Sequence, residues 1–154
     1  MKSLRLFDCE ETNVGGAIRT LPLLEYLEVN LICFNLSSFE KSFQSICEAC
    51  PHLKELSLRL IIPSRGSICY DLRTTCDGII KCPIPMMHEL YSLELICYDL
   101  TEKTVMAIID NCPVLESLHI SPYINNNNVN KLRARYAHLK IQSAEYCHVR
   151  SRLI

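Results

Sequence analysis

A short apolar phrase recurs along this chain of 154 residues and constrains its fold more than any other feature. The phrase consists of a leucine, two variable residues, a second leucine, one variable residue and a third aliphatic residue. It is clearest at residues 53–58, 90–95 and 115–120, and weaker copies occupy residues 1–6, 24–29 and 136–141. Such recurrence predicts repeated structural units. Their central positions, Leu4, Leu27, Leu56, Leu93, Leu118 and Leu139, follow one another at intervals of 21 to 37 residues.

A proline stands two residues before the first leucine of three copies, at Pro22, Pro51 and Pro113, and Cys82-Pro83 is a further stop of this kind. Proline cannot continue a helix, and it disfavours helical geometry in the residue before it. Each stop therefore predicts the end of a helix followed by an extended segment. Recurring units of helix, stop and strand are typical of leucine-rich-repeat solenoids. The predicted fold class is α/β, a horseshoe arc with a parallel sheet on its concave face and helices on its convex face.

Two helices are predicted between the strands. Residues 38–50 place apolar side chains at helical spacing, and Ser37 with Glu40 has the spacing of a capping box. Residues 102–111 carry a second apolar stripe, with Thr101 as the expected N-cap. The widest interval between central positions runs from Leu56 to Leu93. It is predicted to hold a loop rich in Pro, Ser and Gly at residues 61–67 and a shortened convex segment at residues 73–81. Between them, residues 68–72 read Ile-Cys-Tyr-Asp-Leu, a phrase that is repeated at residues 96–100.

The composition favours one domain without a linker. With 49% hydrophobic residues, the chain suits a single leucine-rich-repeat domain over residues 1–154, with about five to six repeats. No apolar run approaches the roughly 18 residues of a membrane-spanning helix, and the N-terminus lacks a signal-peptide core, so a cytoplasmic or nuclear location is expected. The formal net charge of -1 predicts no general attraction to nucleic acid or membrane. Basic residues near the C-terminus are interpreted as solvated faces: Lys131, Arg133, Arg135, Lys140, Arg150 and Arg152.

Ten cysteines raise the alternative of a metal or redox site. Cys47 and Cys50 have the CxxC spacing of zinc and dithiol sites. Both fall on the apolar face of a predicted helix, and no second CxxC follows at zinc-site spacing. We therefore interpret them as reduced, buried structural thiols, and we predict no metal ligand and no cofactor. The other residues from which such a site could be drawn are Cys69, Cys76, Cys82 and His88.

No catalytic motif accompanies the repeats. The chain contains no G-x-S-x-G elbow, no GxxxxGK[ST] phosphate loop and no HExxH helix. Its five histidines are scattered, and none has a nucleophile or carboxylate at a mechanistic spacing. The sequence therefore predicts no catalytic residue and a protein that is not an enzyme.

Alternation along the strands predicts a binding surface instead. Leucine positions point into the core, so the residues between them line the concave face in rows, with strands about 4.8 Å apart. Tyr26 is the expected aromatic anchor, and the glutamates form a mildly acidic centre that favours a basic or polar partner. The alternative is that these residues are only the hydrated face of a sheet. The predicted rows are Ser3, Tyr26, Glu55, Ser92, Ser117, His138 and Arg5, Glu28, Ser57, Glu94, His119, Lys140, and the predicted partner-binding residues are Arg5, Tyr26, Glu28, Glu55, Ser57, Ser92, Glu94, Ser117 and His119.

The phrase Cys-Pro-x-Leu-x-x-Leu-x-Leu at residues 50–58, repeated with a final isoleucine at residues 112–120, resembles a known family. It is similar to the cysteine-containing leucine-rich repeats of F-box proteins, especially the plant F-box/LRR group. The resemblance covers most of the chain. It implies a protein-interaction module like the substrate-recognition repeats of SCF-type ubiquitin ligases, in which an N-terminal F-box binds the adaptor subunit.

Met1 falls within the first copy of the phrase, so the F-box is expected to be absent and the first repeat to be uncapped. SCF components are expected partners only if an F-box lies upstream. The alternative function is a free-standing leucine-rich-repeat scaffold, or a truncated remnant, without a ubiquitin-ligase role. In either case the expected partner is a protein rather than nucleic acid or membrane.

Overall fold

Six parallel strands form one sheet, in which every strand lies beside its neighbours in sequence. The computed structural model describes residues 2–10, 18–32, 38–61, 84–96, 101–120 and 126–143. Parallel strands that are consecutive in sequence need a crossover on one side of the sheet, which is the arrangement of the predicted solenoid. The strands are β1 (Ser3–Glu10), β2 (Tyr26–Ile32), β3 (Glu55–Ile61), β4 (Ser92–Ile96), β5 (Ser117–Ile120) and β6 (Lys140–Ser143).

Among the described residues, three complete helices lie between these strands: α1 (Ser38–Ala49), α2 (Glu102–Asp110) and α3 (Asn126–Arg135). The first two end within one residue of their predicted bounds. Thr101 caps α2 as predicted, because its side-chain oxygen accepts a 3.2 Å hydrogen bond from the Thr104 N–H. Helix α3 is not among the predicted elements. Its asparagine-rich start hides the spacing of Val129 and Leu132, which are both buried.

Some predicted features of the widest interval fall outside the described residues. These are the loop from residue 62, the first copy of the duplicated phrase, the shortened convex segment and the Cys82-Pro83 stop. Ile61, which was assigned to the loop, is instead the last residue of β3. In two other units a buried cysteine, Cys50 or Cys112, stands three residues before the first leucine. Before Leu90 the same position is occupied by Met87, which is 1% exposed. Of the capping box at the start of α1, Ser37 lies outside the described residues.

Strand register confirms five of the six predicted central positions. Each of the five is paired with its counterpart on the next strand, so their side chains form one continuous row on the core side of the sheet. In β6 the residue paired with Leu118 is Ile141, and the predicted Leu139 is wrong. The aligned residues are Leu4, Leu27, Leu56, Leu93, Leu118 and Ile141.

The turn before β6 explains this shift. The Leu139 N–H donates a 3.0 Å hydrogen bond to the Tyr136 carbonyl, as the N–H of Leu115 does to the Cys112 carbonyl at 3.2 Å. Leu139 is therefore the first leucine of its unit, and only one residue separates it from the central Ile141, whereas two residues separate Leu115 from Leu118. A one-residue difference in this interval moves every following side chain to the other face of the strand.

Leucine, isoleucine and valine side chains from the strands and the helices form one core. Phe43 and Ile46 of α1 and Val105 and Ile108 of α2 pack into it with at most 1% of their surfaces exposed. Leu4 in β1 is only partly buried, because no described element covers the outer side of this strand. Within the described residues, no helix combines the length and the apolar character that crossing a bilayer requires.

Candidate functional site: the open face of the sheet

Two rows of side chains cross the face of the sheet opposite the core, which we call the open face. All nine predicted partner-binding residues lie in these rows. The sixth strand differs from the prediction: His138 precedes β6, Lys140 joins the first row and Gln142 joins the second. The rows are Ser3, Tyr26, Glu55, Ser92, Ser117, Lys140 and Arg5, Glu28, Ser57, Glu94, His119, Gln142.

Glu94 is the centre of a polar cluster in the second row. Its Oε1 atom accepts hydrogen bonds from Ser57 at 2.7 Å and from the Nε of Arg59 at 2.8 Å. Its Oε2 atom lies 3.0 Å from the Nδ1 of His119. Burial raises the pKa of this carboxyl, but the hydrogen bonds from Arg59 and Ser57 and the nearby Arg59 and His119 outweigh burial and lower the pKa below its ordinary value. Glu94 is therefore held as a carboxylate.

Arg59 belongs to a third row that was not predicted. It pairs with Asn30 on β2 and with Ile96 on β4, two residues beyond the second row. The leucine phrase ends at Leu58, and the prediction stopped with it. Continued alternation from Ser57 to Arg59 is the signal that could have identified this residue, because both side chains then share a face.

A second cluster joins Arg5, Tyr26 and Glu28 on β1 and β2. The Nε of Arg5 lies 3.2 Å from Oε2 of Glu28, and the Tyr26 hydroxyl donates a 3.4 Å hydrogen bond to the same oxygen. The Arg5 guanidinium also lies over the Tyr26 ring, 5.8 Å from its centre. Glu28 and Glu94 are thus each paired with an arginine, so the centre of the open face carries less free negative charge than predicted.

One more row stands immediately before the strands, and we call it the pre-strand row. Backbone hydrogen bonds of 2.7 to 2.9 Å link its members in sequence, each N–H donating to the preceding member's carbonyl. Lys2 and Lys54 both lie near Glu25, at 3.6 and 3.5 Å. The sequence analysis did not predict this row. In each copy of the phrase, two variable residues separate the first two leucines, and only the second of them, such as Glu55 after Lys54, was assigned to the surface. Its members are Lys2, Glu25, Lys54, Tyr91 and Glu116.

Tyr91 connects the pre-strand row to the first row. Its hydroxyl donates a 2.6 Å hydrogen bond to Oε1 of Glu55, and 38% of the residue is exposed. The hydrogen bond to Glu55 raises the pKa of Tyr91, with smaller contributions from burial and from the negative charges of Glu55 and Glu116. The phenol therefore stays neutral and acts as a donor to the carboxylate.

The CxxC cysteines lie in the core, not at the surface. Cys47 and Cys50 are at most 1% exposed, and both are free thiols, as is Cys112. The Cys50 thiol lies 3.8 Å from the Leu21 carbonyl. Burial raises the pKa of all three thiols, that of Cys112 to about 12. Among the described residues, no group of three or more His, Cys, Asp or Glu side chains is placed to hold a metal ion.

Comparison with known proteins reveals several relatives in Arabidopsis thaliana. F-box/LRR-repeat protein 23 is 35% identical over 138 residues, covering 88% of this chain and 29% of the relative. F-box/LRR-repeat protein 22 is 36% identical over 129 residues, covering 82% of this chain and 38% of the relative. F-box/LRR-repeat protein 9 is 26% identical over 132 residues, covering 84% of this chain and 49% of the relative. The chain spans less than half the length of each of these proteins. No family model matches the chain.

Proposed function

Since this chain is a leucine-rich-repeat relative of the plant F-box/LRR-repeat proteins, we propose that it is a protein-interaction module whose open face binds a partner protein. The observation that carries this proposal is the matching register of the six strands across the two rows, which presents polar side chains side by side. Neighbouring strands in a sheet are about 4.8 Å apart, so these rows form a continuous surface on a rigid support.

The chemistry of the open face suits protein recognition. It combines tyrosines, arginines and carboxylates, which together supply aromatic contact area and directional hydrogen bonds. The side chains of Arg59 and Glu94 are only 32% and 21% exposed, so the cluster is partly held in place before any partner arrives. Side chains that are already ordered lose less entropy on binding, which favours affinity.

The proposed biological role is capture of a substrate protein for an SCF-type ubiquitin ligase. The names of the relatives join an F-box to leucine-rich repeats, and the chain aligns with only part of each relative. In this proposal an F-box elsewhere in the protein binds the adaptor subunit, while the open face holds the substrate in the cytoplasm or nucleus. The module itself has no catalytic step to perform.

The test of the open face is a paired binding experiment. A variant with Tyr26→Ala, Glu55→Gln and Glu94→Gln alters the two rows, whereas a control with Glu48→Ala, Lys103→Ala and Lys131→Ala alters exposed positions on the three helices. Proteins recovered from plant extract are identified by quantitative mass spectrometry and then purified for direct titration. We expect at least one partner to bind wild type and control equally and the row variant roughly tenfold more weakly.

Equal binding of that partner to the row variant would remove the open face as the binding surface. Circular dichroism melting curves must show that both variants remain folded. The ligase role has its own test, a pull-down of the SCF adaptor with the longest transcript of the gene. Absence of the adaptor would favour the alternative of a free-standing repeat scaffold.

A further inference from the structure

We propose that Tyr91, flanked by Glu55 and Glu116, is the point at which the open face accepts a lysine or arginine side chain of a partner protein. This inference rests on the proposed function and adds the chemistry of the partner. Of the two described tyrosines on this surface, Tyr26 has the Arg5 guanidinium over its ring, whereas no described cation lies over Tyr91. Both carboxylates beside Tyr91 lack a basic partner in the described part of the chain.

Backbone pairing sets the geometry of this site. The Tyr91 N–H donates to the Lys54 carbonyl at 2.9 Å, and the Glu116 N–H donates to the Tyr91 carbonyl at 2.8 Å. Tyr91 therefore lies immediately before β4, between the residues that precede β3 and β5. Glu55 contacts its hydroxyl from the β3 side, and Glu116 is its neighbour on the β5 side. A cation above this ring would lie close to two negative charges.

The ion pairs of the described residues show why the remaining charge is concentrated here. Glu25 is shared by two lysines, Glu28 lies beside Arg5, and Glu94 lies beside Arg59. Among the described residues, no such cation lies within 4.0 Å of Glu55 or Glu116, and both glutamates are outside the core. A basic side chain from a partner would meet uncompensated negative charge at Tyr91 and compensated charge at the centre of the open face.

The protein itself contains a filled version of the same arrangement. In the cluster on β1 and β2, the Arg5 guanidinium lies over the Tyr26 ring while the Tyr26 hydroxyl donates to Glu28. At Tyr91 the tyrosine and the carboxylate acceptor are present, but no described residue supplies the cation. A cation within about 6 Å of a tyrosine ring is attracted by the ring's negative face, and nearby carboxylates strengthen that attraction. Under this proposal Tyr91 is the aromatic ring that accepts a partner's cation, whereas the Tyr26 ring already lies beneath Arg5.

The experiment titrates the full chain with N-acetyl-arginine amide and, as a neutral isostere, N-acetyl-citrulline amide, with resonances of the tyrosine rings and backbone amides followed by NMR. We expect a saturable shift centred on Tyr91, Glu55 and Glu116 with the arginine probe and no saturable shift with the citrulline probe. The double variant Glu55→Gln, Glu116→Gln should weaken binding by roughly tenfold, while the matched double variant Glu48→Gln, Glu102→Gln, which alters two helix positions, should bind as wild type does.

Three results would overturn the proposal: no saturable shift, equal shifts with citrulline, or arginine-induced shifts spread evenly over Glu28, Glu94 and Glu102. The Tyr91→Leu variant provides a second check, because it removes the ring and leaves both carboxylates. If the probe binds at Tyr91 but no protein partner depends on the open face, the proposed function fails and the cation site stands. If a partner binds the open face and is unaffected by changes at Tyr91, Glu55 and Glu116, the cation site fails and the function stands.

Discussion

The Nε atom of Arg59 donates a 2.8 Å hydrogen bond to Oε1 of Glu94 on the neighbouring strand. Ser57 donates to the same oxygen, and His119 lies beside the other one. A carboxylate that is mostly buried is costly unless its oxygens are occupied, and here both are. The centre of the open face is therefore a closed polar network, and the unpaired charge lies at its edge.

Replacement of Glu94 by glutamine is expected to lower the free energy of unfolding at pH 7 by about 1–2 kcal/mol. The pKa of Glu94 is lower in the folded protein than its ordinary value, so folding favours the carboxylate form. Its stabilising contribution is complete above the unfolded pKa, about 4.3, and is lost as pH falls through the folded pKa. Urea denaturation of wild type and variant should give a difference that is constant near neutral pH and shrinks as pH falls below the unfolded pKa of about 4.3.

The matched control for this experiment is Glu116→Gln. Glu116 is exposed and forms no ion pair with the described residues, so its replacement should change stability by less than about 0.5 kcal/mol at any of these pH values. A difference for Glu94→Gln that stays constant from pH 7 to the lowest pH at which both proteins remain folded would contradict the role assigned to its ionised form.

Truncation of Leu93 to alanine is expected to destabilise the protein by about 2–5 kcal/mol. This leucine is 1% exposed and packs between β3 and β5 in the interior of the stack. Leu4→Ala is the natural comparison, because Leu4 holds the same position in β1 but is only partly buried. The smaller loss should be at Leu4. Equal losses in urea denaturation would mean that the outer side of β1 is as well covered as the interior strands.

Removal of the Thr101 hydroxyl should weaken α2 at its first turn. Thr101→Ala leaves the Thr104 N–H without its side-chain acceptor, and the expected cost is about 0.5–2 kcal/mol in thermal or urea unfolding. Thr101→Ser keeps the oxygen and should retain most of the stability. If serine and alanine behave alike, the methyl group rather than the cap explains the effect.

The thiols of Cys47 and Cys112 should resist alkylation in the folded protein. Burial raises the pKa of Cys112 to about 12 and that of Cys47 well above its ordinary value, so the reactive thiolate is scarce at pH 8. Peptide mapping by mass spectrometry after treatment with iodoacetamide should find both residues unmodified. The same treatment in guanidinium chloride should modify both. Rapid labelling of either one without denaturant would show that the core opens there.

Sequence spacing was sufficient to predict the strands, α1, α2 and the surface position of all nine candidate residues. Its failures have local causes. The phrase at residues 136–141 fits the leucine pattern, yet the unit is one residue shorter, and the buried Ile141 decides the pairing of β6. Helix α3 was missed because its apolar spacing is sparse. Tyr91 was overlooked because it precedes the strand.

The architecture of this protein follows from local patterns, because leucine spacing and proline stops act on neighbouring residues and establish a helix-and-strand unit without reference to the rest of the chain. The chemistry of the open face does not follow in this way. Ser57 and Glu94 are 37 residues apart in sequence, and Glu55 and Tyr91 are 36 apart. Whether a glutamate meets an arginine, a tyrosine or solvent depends on the register of stacked strands. Tertiary packing therefore left Glu28 and Glu94 neutralised and Glu55 available beside Tyr91.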